Sequence, residues 1–557
     1  MAELKKENIW QWLLRSLKPW LPSLLLLTFG YIASASLSVW FAVGSRDVIN
    51  SAIARDQDPF IRAAVKQGLI ILAIIVDNFL INHLKEKLTA VMDRDWKHNM
   101  LRGLLRGEYA DISSYHTGEL LNRINGDVRI LISSLLSVLP SIASMTTRVV
   151  ACVGVLLAMA PKLTVILLLG GVVVLIVTGI VRRRLKSLNK RASEAQGKVS
   201  GFIQETLEKL LMVQAMDISE VIEERSDVLL EERYRIHKKR KTISVISSTC
   251  MSILSYGISF GTLIWCAFGI LQGNLTMGDM TAITQLVTQL RGPMLNASGI
   301  TPQVASMTAA AERLMELEQI CDTVAVERKE AAPLYAAMTG IRGENLTFAY
   351  DRDAVFDHAD FVLPKGSFGV IVGHSGIGKS TLLKLLLGIF PPKEGGLYID
   401  TADGPVKVDR TTRPLFAYVP QGNLLLSGTL RDNLLVTRKN ATEEEISRAL
   451  YVSAMDDYLP TLPQGLDTVV GENALGLSEG QAQRLSIARA VLSDAPIFLL
   501  DEATSALDDA TEKAVLSRLQ ALPGKTCIAV THREAAMQIA DWSLKMQEGK
   551  CVITMLK

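Results

Sequence analysis

The sequence predicts two fold classes in one chain: an all-α membrane domain of six helices, then an α/β domain. Three observations predict it. Apolar runs nearly free of charge recur through roughly the first 310 residues, whereas charges are dense after them. The stretches between those runs are rich in Lys, Glu, Arg and Leu, which are good helix formers. After about residue 335 the pattern changes to short β-rich runs, each followed by a helical pattern. The expected divisions are a membrane domain over 1–320, a linker over 321–335 and the α/β domain over 336–557.

The bulk composition limits the partners. The 557 residues carry a net charge of +2, so no general electrostatic attraction to nucleic acid is expected. Cys152, Cys250, Cys266, Cys321, Cys527 and Cys551 show neither metal-ligand spacing nor a paired framework, so they read as reduced thiols. The opening "MAELKKENIWQWLLRSLKPW" is charged and amphipathic and has no secretory cleavage pattern after it.

A bilayer-crossing helix needs about 20 mostly apolar residues. Residues 20–43 meet that length without a charge. A second run lies between Lys66 and Lys85, interrupted by Asp77, and a third fills 130–161, interrupted by Arg148. The fourth is 163–181 and the fifth lies within 242–272. The sixth, about 280–308, is the least apolar and carries Arg291.

Lysine and arginine set the orientation. The 2–3 connection holds Lys85, Lys87, Arg94, Lys97, Arg102, Arg106, Arg123 and Arg129, and the 4–5 connection holds "RRR" at 182–184 and "HKKRK" at 237–241. The 3–4 and 5–6 connections are short and nearly bare; the 1–2 connection is a weak exception, with Arg46 and Arg55. Both chain ends are therefore expected in the cytoplasm. The long basic connections, 85–129 and 182–241, read as helical stalks that carry the spans beyond the lipid.

In the α/β part, "FGVIVG" (368–373), "APIFLLD" (495–501) and "TCIAVTH" (526–532) fit buried parallel strands. The first leads into "GHSGIGKST", residues Gly373, His374, Ser375, Gly376, Ile377, Gly378, Lys379, Ser380 and Thr381. Glycines at this spacing, between a strand and a helix, let backbone N–H groups wrap phosphates, and the helix N-terminus adds partial positive charge. Lys379 is placed to reach the phosphates and Ser380 to ligate Mg²⁺. In "IFLLDE", Asp501 ends a strand and suits the metal, while Glu502 is placed to hold an attacking water. The cofactors expected are thus ATP and Mg²⁺, and the domain is an α/β P-loop nucleotide-binding domain.

Further motifs resemble the ATP-binding cassette family. "LSEGQAQRLSIARA" (477–490) is similar to that family's signature, and "LLDEATSALD" (499–508) to its second nucleotide motif and D-loop. Tyr350 in "LTFAY" resembles the aromatic residue that stacks on adenine. Gln421 in "YVPQ" resembles the glutamine that senses Mg²⁺ and the membrane domain. Glu472 in "TVVGEN" resembles an exporter-type residue facing the partner's stalk, and His532 in "VTHRE" resembles the switch histidine at the γ-phosphate. "SYHTGELLNRINGDV" (114–128) and "LEKLLMVQAMD" (207–217) resemble the two cytoplasmic loops of exporter-type members. Glu479 departs from the usual signature, which has glycine there; Ser478, Gly480 and Gln481 keep it.

The resemblance implies a half-transporter of the exporter type. Each ATP would lie between one chain's phosphate loop and the other chain's signature, so the working unit needs two cassettes. Glu502, Ser478 and His532 are all present, which favours a homodimer and leaves a heterodimer open. Closure of the cassettes would open the cavity outward, and hydrolysis through Glu502 and His532 would reset it, by alternating access. The setting implied is a bacterial cytoplasmic (inner) membrane. Drug, peptide and lipid substrates all remain compatible. An exporter-shaped importer and a nucleotide-gated channel are alternatives.

Asp77, Arg148 and Arg291 lie near one depth in their spans. Two readings follow, because charge inside a span is costly and is usually paired or functional. One is an ion pair, Asp77 with Arg148 or Arg291. The other is a cavity with surplus positive charge, suited to an anionic substrate.

Overall fold

The computed structural model describes residues 8–321, 328–350, 353–422, 425–471, 476–547 and 549–557. They form two compact units: Met1–Leu105 with Tyr115–Cys321, and Arg106–Ser114 with Asp322–Lys557.

The first unit is helical. It comprises α1 (Ile9–Leu17), α2 (Leu21–Ile53) and α3 (Gln57–Arg106), whose last residue belongs to the second unit along with α4 (Tyr109–Ile112). It continues with α5 (Thr117–Asn122), α6 (Val128–Met159), α7 (Pro161–Glu208), α8 (Leu210–Ala215), α9 (Ser219–Leu271) and α10 (Met277–Cys321). Pro161 occupies the first turn of α7, where its missing N–H costs no helical bond, so α7 starts directly after α6 ends. By length and composition, α1–α2 together, α3, α5–α6 together and α9 are suited to cross a membrane. The apolar part of α7 found among the described residues, Pro161–Gly171, is shorter, and α10 does not qualify as a span among them. Large apolar side chains such as Phe29, Leu72, Phe79, Val150 and Phe260 point outward. A water-soluble unit would bury such faces; lipid or a second chain must cover them here.

The interior of this unit is built around Trp12, Trp96, Met92, Leu131, Leu136 and Leu314. Below it runs a turn of π-helix, Arg123–Asp127, between α5 and α6. Asp127 there is buried and takes both a 2.8 Å bond from Arg313 Nε and a 2.6 Å bond from Nη2. Arg123 is buried too and donates to Glu119 and Glu316.

The second unit is α/β. Helix α11 (Ala331–Ala337) precedes β1 (Met338–Tyr350), β2 (Asp353–Pro364), β3 (Phe368–Val372), α12 (Lys379–Leu386), β4 (Glu394–Thr401), β5 (Gly404–Lys407) and β6 (Phe416–Val419). Then come β7 (Gly428–Thr429), α13 (Leu430–Leu435), α14 (Glu443–Val452), β8 (Val469–Val470), α15 (Glu479–Leu492) and β9 (Ile497–Asp501). The unit ends with α16 (Asp509–Gln520), β10 (Thr526–Val530), α17 (Glu534–Ile539), β11 (Trp542–Gln547) and β12 (Lys550–Met555).

A six-stranded sheet in the order β12-β11-β3-β10-β9-β6 is parallel except for its β12 edge. The three runs read as buried parallel strands are its β3, β9 and β10. An antiparallel sheet, β2-β1-β4-β5, stands beside it, and β7 pairs with β8. Strand alternation sorts the core. Ile371, Leu499 and Ile528 face α12 and the antiparallel sheet, while Val370, Phe498 and Leu500 face the other side. Gly369 is where the Trp542 ring crosses β3: a Cβ there would meet Trp542 at 1.9 Å.

Candidate nucleotide-binding site

The phosphate loop leaves the C-terminal end of β3 and enters α12. Gly378 has φ +107° at the N-terminal cap of that helix, and a Cβ on it would meet Val355 at 2.1 Å. Only glycine fits this position on both counts. Ile377 anchors the loop: its amide donates to the His374 carbonyl at 3.3 Å and its side chain packs on the core. His374, Ser375 and Gly376 are exposed. Lys379 is buried, and its Nζ donates to the carbonyls of Gly373 at 2.9 Å and His374 at 3.0 Å. Those bonds hold the ammonium along the loop it would serve.

Ser380, one residue on, donates through Oγ to Asp501 Oδ1 at 2.8 Å. Asp501 ends β9 and is 2 % exposed. Its second oxygen, Oδ2, accepts the phenolic O–H of Tyr418 at 3.1 Å. Tyr418 stands on β6, the strand next to β9, level with Leu499. Burial, then the Asp501 charge and hydrogen bond, push its phenol well above the usual range, so Tyr418 is a donor at any working pH. The sequence quotation "YVPQ" contained this residue without signalling its role.

Glu502 has φ +49°, an uncommon backbone for a non-glycine residue, and its amide donates to the Val530 carbonyl at 3.0 Å. Its carboxylate accepts a 2.6 Å bond from Gln421 Nε2. Gln421, expected both at the metal and in catalysis, is thus placed on the Glu502 carboxylate. Among the described residues no group of three or more His, Cys, Asp or Glu gathers around a metal position. The donors fit Mg²⁺ nevertheless: one hydroxyl and one buried carboxylate suit an ion that keeps waters and takes its other oxygens from phosphates.

Ser478 caps α15. Its Oγ accepts from the Gln481 amide at 3.2 Å, and the Gln481 side chain accepts from the Ser478 amide at 2.8 Å. At Gly480 a Cβ would meet the Ala506 carbonyl oxygen at 2.9 Å, so the signature keeps glycine where the D-loop passes. Gln483 ties the two together, accepting from the Ala506 amide and donating to Ser505 Oγ, both at 3.0 Å. Glu479 is exposed in the first turn, where the helix dipole favours an acid. His532 follows β10 and is exposed. Glu472 lies outside the described residues.

Tyr350 is 41 % exposed and stands edge-on to Phe348 and Phe390; its hydroxyl is 3.4 Å from Thr381 Oγ1. Phe390 also meets Tyr109 of α4, ring centroids 6.0 Å apart. Arg410 pairs with Glu108 at 3.0 Å and binds the carbonyl of Arg106, so the 106–114 segment is fastened to the α/β unit.

In the helical unit neither expected ion pair of Asp77 occurs among the described residues. Asp77 Oδ2 and Arg148 Nε are buried atoms without a hydrogen-bond partner. Arg291 lies over the Tyr256 ring at 4.5 Å. It lines a small cleft of about 60 Å³ with Leu167, Met251, Leu254, Ile258 and Leu290. Equal depth does not place three helices' side chains on one azimuth, which is why the pairing expectation fails.

Comparison with known proteins matches both halves. The profile described as ABC transporter transmembrane region covers residues 20–294, and the one described as ABC transporter covers 356–505. The chain is 28 % identical to an ATP-dependent lipid A-core flippase of Desulfotalea psychrophila, over 96 % of this chain and 94 % of that protein. It is 35 % identical to an ATM1-type heavy metal exporter of Novosphingobium aromaticivorans, over 52 % of this chain and 48 % of the other. A solved bacterial Atm1-family ABC exporter with ATP bound shares the fold, with a TM-score of 0.78 at 23 % identity over 96 % of this chain and 94 % of that one.

Proposed function

Because this chain belongs to the ABC transporter family, we propose that it is one half of an ATP-driven exporter, working as a pair of identical copies in the cytoplasmic membrane. One observation carries the reading. The Ser380–Asp501 and Gln421–Glu502 bonds assemble a hydrolytic site in a chain whose other half presents apolar faces outward. Names of the relatives, a flippase and an exporter, support outward movement.

Bound Mg²⁺ would neutralise charge on the transferred phosphoryl group. This chain's own residues do the rest. Lys379 and the loop amides hold phosphate oxygens. Asp501 and Ser380 hold the metal. Glu502 orients the attacking water, and Gln421 keeps that carboxylate in place until the site is complete. Ser478, on its capped helix, serves the other copy's nucleotide, and His532 serves the γ-phosphate. Tyr350, exposed at the edge of β1, offers its ring to adenine.

For the cargo, the unpaired Arg148 atom and the Arg291 guanidinium, which meets the Tyr256 ring and no acid among the described residues, support a substrate that carries an acidic group on an apolar body. The test uses the purified chain alone in lipid nanodiscs. Basal ATP turnover without any second protein is expected, together with stimulation by acidic amphiphiles and none by their neutral counterparts. Turnover that appears only when a different half-transporter is added overturns the homodimer. Equal stimulation by neutral and acidic compounds overturns the cargo class.

A further inference from the structure

We propose that Tyr418 is a positioning residue for the nucleotide's metal: its phenol fixes the plane of the Asp501 carboxylate from the side opposite Ser380. The inference rests on the nucleotide-site reading and adds a residue that the phosphate loop and the family signature do not include.

The geometry is that of a clamp. Asp501 is 2 % exposed, so water cannot satisfy its oxygens. Ser380 Oγ takes Oδ1 at 2.8 Å and Tyr418 takes Oδ2 at 3.1 Å. A Ser380 hydroxyl that lends a lone pair to the metal still donates its O–H to Oδ1, but one anchor alone leaves the carboxylate free to swing about its Cβ–Cγ bond. Tyr418 supplies the second anchor, at Oδ2. A metal held by few protein ligands depends strongly on the groups that orient them. A phenol suits this because it offers one O–H donor on a rigid ring. Its ring is held too. Tyr418 packs against the core shared by α12, β9 and the antiparallel sheet, and its backbone is locked in register with β9. A tyrosine so held cannot follow Asp501 if the carboxylate turns.

The test compares Tyr418→Phe with the unaltered full chain in nanodiscs. Phenylalanine keeps the ring and its packing and removes only the hydroxyl. Two curves are measured: Mn²⁺ binding by electron paramagnetic resonance in the presence of a non-hydrolysable ATP analogue, and binding of a fluorescent ATP analogue in EDTA. The expected result is a Mn²⁺ half-saturation raised about tenfold, the scale of a hydrogen bond to a charged group, with metal-free nucleotide binding unchanged and the thermal midpoint modestly lowered, because Oδ2 loses a donor that water cannot replace. The half-saturating Mg²⁺ concentration for turnover should rise with it, while KM for the nucleotide at saturating metal stays level. An unchanged Mn²⁺ curve overturns the proposal. So does equal weakening of both curves, which would make Tyr418 a packing residue. If the unaltered chain shows no metal-dependent nucleotide binding, the nucleotide-site reading fails, and this inference fails with it.

Discussion

Both oxygens of Asp501 accept hydrogen bonds and Lys379 donates to two carbonyls, whereas in the helical unit Asp77 Oδ2 and Arg148 Nε have no hydrogen-bond partner among the described residues. The contrast is not between polar and apolar surroundings, because Asp501 is the more buried of the two acids. It is between a site that one chain organises by itself and charges that one chain leaves open. An open charge at a helix-rich, lipid-facing depth is retained only where something else meets it. A second copy or a cargo is the natural candidate, and the membrane unit's outward apolar faces call for cover of the same origin.

The largest expected effect tests the self-sufficient site. Glu502→Gln keeps the Gln421 contact sterically and removes the base. Turnover should fall about 100-fold or more, the usual contribution of a positioned base, while nucleotide still binds. A variant that hydrolyses at the original rate would mean that Glu502 does not hold the water, and the proposed chemistry would have to move elsewhere.

Within the helical unit the comparison can be made sharper. Asp127 is buried and bidentate with Arg313; Asp77 is half-buried and unpaired. Breaking a buried pair from one side leaves the other charge uncompensated. Since Arg313 is partly exposed, solvent takes up part of that loss, and Asp127→Asn should cost about 2 kcal/mol. Asp77→Asn removes an unsatisfied charge and should leave the thermal midpoint unchanged or raised. Equal losses in the two variants would show that Asp77 has a partner in the working assembly.

How much of this was legible beforehand follows a physical line. Phosphate loop, parallel strands and Glu502 could be read because each is local: a glycine spacing, an apolar run, a strand-end acid. Tyr418 could not, because its meaning comes from β6 lying beside β9, which brings it to an acid 83 positions along the chain. The 106–114 segment lies inside the stalk read over 85–129, and the residues that fasten it to the α/β unit, Arg410 and Phe390, leave no local mark in the sequence. The antiparallel sheet escaped notice too, since its strands mix exposed and buried positions irregularly and register shifts interrupt β1. Asp77, Arg148 and Arg291 could be found from charge in apolar runs, but helix azimuth, which decides pairing, leaves no mark in depth.

Arg148 and Arg291 supply the next test. Each is changed singly to Gln, and stimulation by an acidic amphiphile is measured against basal turnover. Loss of a charged contact should weaken the stimulating concentration about tenfold and leave basal turnover alone. If both variants are stimulated as before, the open charges have no part in cargo recognition.

The smallest effect concerns Glu479, the residue where the signature departs from its usual glycine. Two outcomes compete, and geometry separates them. If the carboxylate faced the other copy's phosphates, it would repel them, and Glu479→Gly would speed turnover. Glu479 is exposed in the first turn of α15, while the D-loop crosses at Gly480, where no Cβ fits. The position that must stay small is therefore kept small, and the acid sits one residue earlier, where the helix dipole welcomes it. Replacing it should cost about 0.5 kcal/mol of helix stability. Ser478 and Gln481 still cap the helix in the variant, so turnover should stay within about twofold, the size of so small a free-energy change. A tenfold gain would place the carboxylate at the phosphates after all, and would make Glu479 a brake on hydrolysis rather than part of a helix end.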